Sequence, residues 1–352
     1  MRVANGRGAA GLRRQSRGAN LPSLLVACAL LGALGCGANG LVAPGPAPAV
    51  APASAGNAAP AAQGGTWVTL APMGEPRQEL GVAARDGTVY ALAGYLGDGA
   101  PSATAEAYDV ASDRWRRIAS IPEALHHPAA ATLNGTVYLV GGYDDRGAVD
   151  SLWAYDAAGD RWEPRAALPT ARGALTAVVL DGRLYAIGGD RGRSVGDAAA
   201  YDPATDTWEA LPPMGHPRDH LAAGVVNGRI YVAGGRNGRD FTLNVLEEYD
   251  PATRAWAERG AMPTGRSGIA GAVVGGRFYV FGGEGNRAHP QGVFDAVEAY
   301  DPAQDAWTRL APMATPRHGI NAAVVGNRIY LPGGATVEGF GVTPANEAFE
   351  AP

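Results

Sequence analysis

Lysine is absent from the 352-residue chain, so all 29 of its basic side chains are arginines. This absence fits a GC-rich genome and indicates no particular chemistry. The chain also has no excess of positive charge. Its 34 acidic residues outnumber the arginines and give a formal net charge of −5. Five of the arginines precede residue 36, where no acid occurs, so the rest of the chain is more acidic still. General nucleic-acid binding needs a cationic surface, and we therefore expect no nucleic-acid partner.

Long hydrophobic runs are missing as well. The longest covers residues 21–34, and these 14 residues fall short of a membrane-spanning helix, which needs roughly 20. This run follows five arginines and precedes Gly35 and Cys36, which is the arrangement of a secretory signal peptide. We therefore assign residues 1–35 to a signal peptide.

Cysteine occurs only at positions 28 and 36, so we expect no disulfide in the exported chain. Residues 33–36 (ALGC) resemble the bacterial lipoprotein box, in which a small residue precedes the cysteine that becomes lipidated. The resemblance implies lipidation of Cys36 and a bacterial cell-envelope location, either periplasmic or on the cell surface. The lipid would attach the protein to a membrane without spanning it. Cys28 has almost no hydrophobic segment ahead of it, and simple cleavage without a lipid remains the alternative.

Residues 36–65 consist mainly of alanine, proline and glycine. Such a segment has no apolar periodicity and cannot bury a core. Its proline content favours an extended, semi-stiff chain. We interpret it as a tether that holds a folded domain away from the membrane.

From residue 66 onward the chain repeats itself six times with a period of 46 to 51 residues. Each repeat has a tryptophan and, 27 residues later, a glycine that ends a Gly-Gly or Ala-Gly pair. The tryptophans are Trp67, Trp115, Trp162, Trp208, Trp256 and Trp307. Fixed periods of this size indicate a solenoid or a propeller.

Each repeat is predicted to contain four short strands. In the third repeat these cover residues 175–180, 183–187, 197–201 and 207–211. The two-residue turn Asp181-Gly182 between the first two is typical of a tight hairpin, which needs positive φ. Helical periodicity is absent from the repeats, so we expect an all-β, antiparallel fold.

The succession of Gly-Gly, Tyr-Asp, Trp and Pro-Arg over residues 66–352 resembles the kelch repeat, with Pro-Arg at 76–77, 217–218 and 316–317. The resemblance implies a six-bladed β-propeller. The fourth strand of each repeat contains the tryptophan that opens the next repeat, so the last repeat has only three predicted strands and no tryptophan after them. We expect the N-terminal strand around Trp67 to complete this blade, which would close the ring without a large exposed edge.

The length of the repeats varies mainly in the loop between the second and third strands. The distance from the last glycine of the Gly-Gly pair to the tyrosine of the Tyr-Asp pair, or its phenylalanine equivalent, ranges from 12 to 17 residues. Variable loops on a rigid scaffold commonly carry function. In kelch proteins this face is the ligand surface, so the resemblance implies a monomeric binding module for a protein or a carbohydrate. The loop residues that we expect near a ligand are Tyr95, Tyr143, Asp190, Arg191, Arg193, Arg236, Asn237, Arg239, Glu284 and Arg287.

Four histidines, His126, His127, His220 and His318, lie 11 or 12 residues after a tryptophan. Imidazole is a common metal ligand. However, no spacing resembles a zinc motif, and His318 is offset by one position, which predicts that it faces the other side of its strand. We therefore expect hydrogen bonding at the channel mouth, with no metal and no cofactor.

The chain also resembles two families of enzymes. Kelch-type copper radical oxidases need a cysteine crosslinked to tyrosine, and no cysteine follows residue 36. Bacterial sialic acid mutarotases are exported six-bladed kelch proteins, and Glu284 resembles their acid–base glutamate. Arg287 lies three residues after Glu284, whereas the arginine of that family lies six residues on, where this chain has Pro290. A sugar mutarotase that uses Glu284 and Arg287 is the alternative to a pure binding module.

Overall fold

A computed structural model of the protein describes residues 64–352. This part of the chain is all-β, with 26 strands and no helix, and so it has no helix that could cross a membrane. The strands form six four-stranded antiparallel sheets and one small hairpin. The predicted six-bladed propeller is therefore confirmed. The predicted signal peptide, Cys36 and almost all of the tether lie outside the described residues.

The strands are numbered in chain order, and each blade is given from its inner to its outer strand. Blades 1 to 3 are β2 (Gly81–Arg85), β3 (Thr88–Leu92), β4 (Ala105–Asp109), β5 (Arg114–Arg117); β6 (Ala129–Leu133), β7 (Thr136–Val140), β10 (Leu152–Asp156), β11 (Arg161–Arg165); and β12 (Thr176–Leu180), β13 (Arg183–Ile187), β14 (Ala198–Asp202), β15 (Thr207–Leu211). Blades 4 to 6 are β16 (Ala222–Val226), β17 (Arg229–Ala233), β18 (Leu246–Asp250), β19 (Ala255–Arg259); β20 (Ala270–Val274), β21 (Arg277–Phe281), β22 (Val297–Asp301), β23 (Ala306–Arg309); and β24 (Ala323–Val325), β25 (Arg328–Pro332), β26 (Asn346–Glu350), β1 (Thr66–Thr69). The small hairpin in the blade 2 loop is β8 (Tyr143–Asp144) and β9 (Gly147–Ala148).

The inner strands pack closely around the central axis. Neighbouring inner strands contact one another all round the ring. A Cβ atom on Gly271 of β20 would lie 2.9 Å from the Cβ atom of Ala222 in β16, which is too close for two carbon atoms. The small residues of the first strand in each repeat are therefore explained by crowding at the axis.

The N-terminal strand β1 closes the propeller by joining blade 6, as predicted. Trp67 of β1 pairs with Phe349 of β26, and the centroids of the two rings are 5.1 Å apart. The indole Nε1 of Trp67 also donates a hydrogen bond to the carbonyl oxygen of Ala311, at 3.2 Å. The N-terminal strand thus completes blade 6 together with the three C-terminal strands. The chain ends therefore leave no incomplete blade with an exposed strand edge.

The repeat tyrosine and tryptophan join each blade to its neighbour. The Tyr108 hydroxyl donates to Asp113 at 2.6 Å, and Asp113 accepts the backbone N–H of Ala71 at 2.8 Å. The Trp115 indole donates to the carbonyl oxygen of Ala71 at 2.9 Å. The same Tyr–Asp contact recurs in blades 2, 3 and 5. In blade 4 Arg254 takes the place of the aspartate.

Five arginines, each ten residues after a tryptophan, are fully buried: Arg77, Arg172, Arg218, Arg266 and Arg317. Each donates to a backbone carbonyl oxygen of the second strand of its own blade. Four of them also face a buried glutamate, namely Glu106, Glu247, Glu298 or Glu347. Burial lowers the pKa of these arginines, and the adjacent carboxylate opposes that shift. The sequence identified Pro-Arg as a family signature but gave no sign of this burial.

The Gly-Gly pairs lie where one blade meets the next. A Cβ atom on Gly282 would be 2.3 Å from the carbonyl oxygen of Arg317 in the following blade, and Gly282 has a φ of 58°. The N–H of Gly283 donates to the same carbonyl oxygen at 2.8 Å. Only glycine combines that backbone conformation with so close an approach. This contact fixes the start of the loop whose first residue is Glu284.

Candidate functional site

The variable loops and the connections between blades meet at one face of the propeller, which we call the loop face. In every blade the residue eleven positions after the tryptophan forms an isolated β-bridge with the residue that follows the Gly-Gly pair. The six bridges are Gln78–Tyr95, His126–Tyr143, Gly173–Asp190, Asp219–Arg236, Ser267–Glu284 and His318–Ala335. Twelve side-chain positions are thus set side by side around the channel mouth.

One position further along, six residues form a closed circle of backbone hydrogen bonds. Each N–H donates to the carbonyl oxygen of the preceding blade at 2.8 to 3.0 Å. These residues, which we call the central ring, are Glu79, His127, Ala174, His220, Gly268 and Gly319. All six have positive φ, between 52° and 64°. The ring fixes the side chains of Glu79, His127 and His220 at the channel mouth, where one ligand atom from each lies within 4.8 Å of the others.

A pocket of about 440 Å³ opens above the central ring on the loop face. We call it the central pocket, and its lining is Gln78, Glu79, Tyr95, Gly99, His127, His220, Arg236, Phe241, Glu284, Glu338, Gly339 and Phe340. Below the ring the space shrinks to about 30 Å³ between apolar side chains that include Leu175, Leu221 and Ile320. The central ring is therefore the floor of the pocket.

Arg236 is the centre of the charged network in the pocket. Its Nη1 donates to Glu284 Oε1 at 2.6 Å, and its Nε donates to Asp219 Oδ1 at 3.2 Å. Its Nη2 lies 2.9 Å from His220 Nε2. Burial opposes ionisation of Asp219, but hydrogen bonds from His220 and Ser194 and the charge of Arg236 hold its pKa below the ordinary value. Glu284 is only 2% exposed, whereas the Arg236 side chain is 25% exposed and remains accessible from the pocket.

Tyr95 and His127 also line the pocket, and the rings of His126 and Tyr143 pack against them. His126 Nδ1 and His127 Nδ1 are 2.6 Å apart. The His126 ring stacks on Tyr95, with centroids 3.9 Å apart, and on Tyr143 at 5.1 Å. Burial lowers the pKa of His126 to about 4 and that of His127 well below its ordinary value. Both imidazoles are therefore uncharged at neutral pH.

The predicted orientation of His318 is wrong. Its Nδ1 lies 3.4 Å from Glu284 Oε2 and 3.8 Å from Glu79 Oε1, so it faces the same network as His127. Its Nε2 donates to the carbonyl oxygen of Val337 at 2.9 Å. The alternation of side chains applies only to extended chain. Gly319 and its equivalents have positive φ, so residues 11 and 12 positions after a tryptophan point the same way.

The structure brings five of the predicted loop residues, Tyr95, Tyr143, Asp190, Arg236 and Glu284, to equivalent positions around the channel mouth. Tyr143 and Asp190 bind each other, since the Tyr143 hydroxyl donates to the backbone carbonyl of Asp190 at 3.0 Å. Burial and the adjacent Asp190 raise the pKa of Tyr143, which remains protonated.

Other predicted residues lie farther out. Arg191 makes an ion pair with Asp197 at 3.4 Å, while Asn237 accepts backbone N–H groups of its own loop at 2.9 Å. Arg239 and Arg287 line a separate outer pocket of about 570 Å³. The cation that contacts Glu284 in the described part of the chain is Arg236.

Gln78, Glu79 and Asp219 were missed by the sequence analysis. Their distance from the repeat tryptophan could have identified two of them. Glu79 lies twelve residues after its tryptophan, as His127 and His220 do, and Asp219 lies eleven residues after its tryptophan. The apolar rim was also missed. Within residues 64–352 the exposed large hydrophobic side chains are Phe241, Val337 and Phe340, which are 41%, 44% and 46% exposed. All three belong to loops of this face.

The comparisons with known proteins agree with this fold. Kelch-like protein terF of Aspergillus terreus is 39% identical over 66 residues, which is 19% of this chain and 14% of that protein. Kelch-like protein 1 of Mus musculus is 41% identical over 46 residues, which is 13% of this chain and 6% of that protein. The chain thus spans a small part of the length of these two relatives.

The solved structure of YjhT has the same fold, with a TM-score of 0.65 at 16% identity over 78% of this chain and 95% of that one. The family model of the KLHDC2/KLHL20/DRC7 Kelch-repeats domain matches residues 63–218 and 214–334. These two segments together cover well over half of the sequence. The protein is therefore a member of the KLHDC2/KLHL20/DRC7 Kelch-repeats domain family.

Proposed function

We propose that the protein is a carbohydrate-binding module whose central pocket holds the terminal sugar of a glycan. Kelch propellers serve generally as binding and interaction modules, which sets the class of function. The observation that carries the finer proposal is the Arg236–Glu284 pair at the centre of a 440 Å³ pocket. A pocket of this volume suits a small ligand rather than a protein surface.

The chemistry of the lining supports a polyhydroxylated ligand. A guanidinium and a carboxylate side by side offer a fork of donors and a fork of acceptors, which can bind neighbouring hydroxyl groups in pairs. Tyr95, Phe241 and Phe340 provide apolar ring faces at the rim of the pocket. The Arg236 guanidinium carbon lies 4.9 Å from the centroid of the Phe241 ring, so polar and apolar contacts are available together.

A glycan array followed by thermal-shift measurement tests this proposal. We expect a defined sugar to raise the melting temperature of the purified protein, and the shift should grow with the logarithm of the sugar concentration above the dissociation constant. Arg236→Ala should reduce that shift, because the loss of one charge-assisted hydrogen bond costs about 1.5–3 kcal/mol. If no glycan binds and a peptide library gives a ligand that Arg236→Ala weakens, the partner is a protein and the carbohydrate proposal fails.

A sugar mutarotase is the second candidate, and the position of Glu284 favours it. The carboxylate is buried in the pocket and lies next to Arg236 and His318. In such a reaction a base removes the proton of the anomeric hydroxyl while an acid protonates the ring oxygen, and the ring then recloses on the other face. Here Arg236, rather than Arg287, would support the carboxylate. Faster exchange of sugar anomers in NMR spectra, lost in Glu284→Gln, would establish this activity.

The cellular setting is part of the proposal. We propose that the chain is exported to the bacterial cell envelope and attached there by a lipid on Cys36. The support comes from residues 1–36 alone, which have the order of an export signal that ends in a lipidation site. The proline-rich segment would then hold the binding domain away from the membrane.

A further inference from the structure

We propose that Glu79, His127 and His220 form a binding site for one divalent transition-metal ion, Zn²⁺ above all, at the floor of the central pocket. The three side chains come from three blades, and each belongs to the residue twelve positions after its repeat tryptophan. Each offers one ligand atom, and these atoms lie within 4.8 Å of one another. The inference concerns the ion alone and does not depend on carbohydrate binding.

The ligand atoms need only a small movement to close around an ion. His127 Nε2 and Glu79 Oε2 are 3.5 Å apart. Ligand atoms around a tetrahedral zinc ion lie roughly 3.4 Å from each other, given zinc–ligand bonds of about 2.1 Å. The imidazole rings of His127 and His220 have centroids 4.9 Å apart with an interplanar angle of 76°, so they can approach one point from two sides.

His220 is held in the tautomer that a metal requires. Arg236 Nη2 lies 2.9 Å from His220 Nε2, and a guanidinium can only donate, so Nε2 carries the lone pair. His220 Nδ1 therefore carries the hydrogen, which it donates to Asp219 Oδ1 at 2.5 Å. A carboxylate behind the far nitrogen of a ligating histidine is the usual second layer of a zinc site.

The charges around the site suit a divalent cation. Three carboxylates, Glu79, Asp219 and Glu284, face the region, and Arg236 is the cation among them. A bound ion would take the lone pair of His220 Nε2 in place of Arg236 Nη2. Arg236 would keep its contacts with Glu284 and Asp219, so the guanidinium remains neutralised.

The backbone conformation at these three positions is energetically unfavourable for residues other than glycine. Glu79, His127 and His220 have φ values of 52°, 54° and 54°, a conformation that favours glycine. Glycine does occupy the equivalent positions 268 and 319. Strained residues that persist on such a scaffold commonly serve function, and all three of these carry metal-binding groups. Two imidazoles and one carboxylate leave coordination positions open toward the pocket, as in catalytic zinc sites.

Calorimetric titration of the purified full chain with ZnCl₂, after treatment with a chelator, tests the proposal. We expect one ion per chain. The double variant His127→Gly, His220→Gly should still fold, because glycine occupies the same ring position in blades 5 and 6. It should lose stoichiometric binding. Asp219→Asn should weaken binding by about 10- to 100-fold through the lost support of His220.

The control is His216→Ala, which removes an exposed histidine paired with Glu258 at 2.7 Å and should leave zinc affinity unchanged. Arg236→Met frees the lone pair of His220 Nε2 and should tighten binding. Zinc binding that survives in the double glycine variant, or that disappears in His216→Ala, would place the ion elsewhere and overturn the proposal. A natural protein that binds no zinc would overturn it equally.

Discussion

Individual side chains in this protein take their roles from their distance to the repeat tryptophan. In five of the six repeats a buried arginine lies ten residues after the tryptophan, and blade 2 has Leu125 there. The residue eleven positions after the tryptophan lies at the channel mouth, and the residue twelve positions after it belongs to the central ring. Arg218, Asp219 and His220 illustrate the series in blade 4. Three consecutive residues thus serve stability, support of a neighbour and the pocket floor.

The buried ion pairs give the first prediction at this scale. Glu298→Ala leaves the guanidinium of Arg266, which is completely buried, without its carboxylate. We expect a loss of about 3–5 kcal/mol in the free energy of unfolding, because an uncompensated charge remains inside. Urea denaturation monitored by tryptophan fluorescence measures it.

Glu258→Ala is the matched control for this change. Glu258 Oε1 lies 2.7 Å from Nε2 of His216 at the surface, and exposed contacts of this kind contribute only about 0–1 kcal/mol. Equal losses in the two variants would show that the interior Arg–Glu pairs contribute no more than a surface contact.

Some residues of the site could be predicted from the sequence and others could not. The offset from tryptophan correctly drew attention to His127 and His220, and it would have added Glu79. It could not give the direction of His318, because the alternation rule assumes an extended chain and the ring residues are left-handed. The burial of Arg266 was hidden as well, since its partner Glu298 is brought to it only by the fold.

At the scale of elements, every blade depends on strands that meet through tight turns, and blade 6 depends in addition on the N-terminal strand β1. Both turn residues have positive φ in the first hairpin, where Asp86 has 49° and Gly87 has 75°. Turn chemistry of this kind can be recognised in a sequence, which is why the strands of the third repeat were predicted to within one residue.

Removal of the closing strand gives a prediction for this scale. A chain that begins at residue 75 lacks β1, so β26 loses its partner and Phe349 loses the Trp67 ring. We expect it to lose at least about 3 kcal/mol of stability, the usual cost of removing a packed aromatic side chain, or to aggregate. Thermal unfolding followed by circular dichroism measures the change.

A chain that begins at residue 60 retains β1 and serves as the comparison. Its melting temperature should match that of the longer protein, because the removed residues precede the first strand. Equal melting temperatures for the chains that begin at 60 and at 75 would contradict closure by Trp67.

At the scale of the whole molecule, the architecture was predictable because six repeats in register over-determine a propeller. The pocket was only partly predictable. The loops around Arg236 and Glu284 were identified from their variable length, but the pairing of these two side chains across neighbouring blades required coordinates. The rim residues Phe241 and Phe340 have no repeat equivalent that would have marked them.

The proposed anchor is also a property of the whole chain. Cys36→Ser should abolish incorporation of labelled fatty acid and move the protein from the membrane fraction to the soluble fraction, because the lipid is the proposed attachment. Cys28→Ser should change neither. Labelling that persists in Cys36→Ser but is lost in Cys28→Ser would transfer the lipid to the earlier cysteine.

The central claim is that the protein binds its ligand in the central pocket of the loop face. Titration calorimetry with the glycan found by the array tests it most directly, with Glu284→Gln compared against Asn227→Gly. Asn227 lies in a turn between β16 and β17 and has a φ of 50°, which glycine tolerates. We predict that Glu284→Gln weakens binding by roughly 10- to 150-fold, which corresponds to about 1.5–3 kcal/mol, and that Asn227→Gly leaves affinity unchanged. Loss of affinity in Asn227→Gly with none in Glu284→Gln would contradict the account.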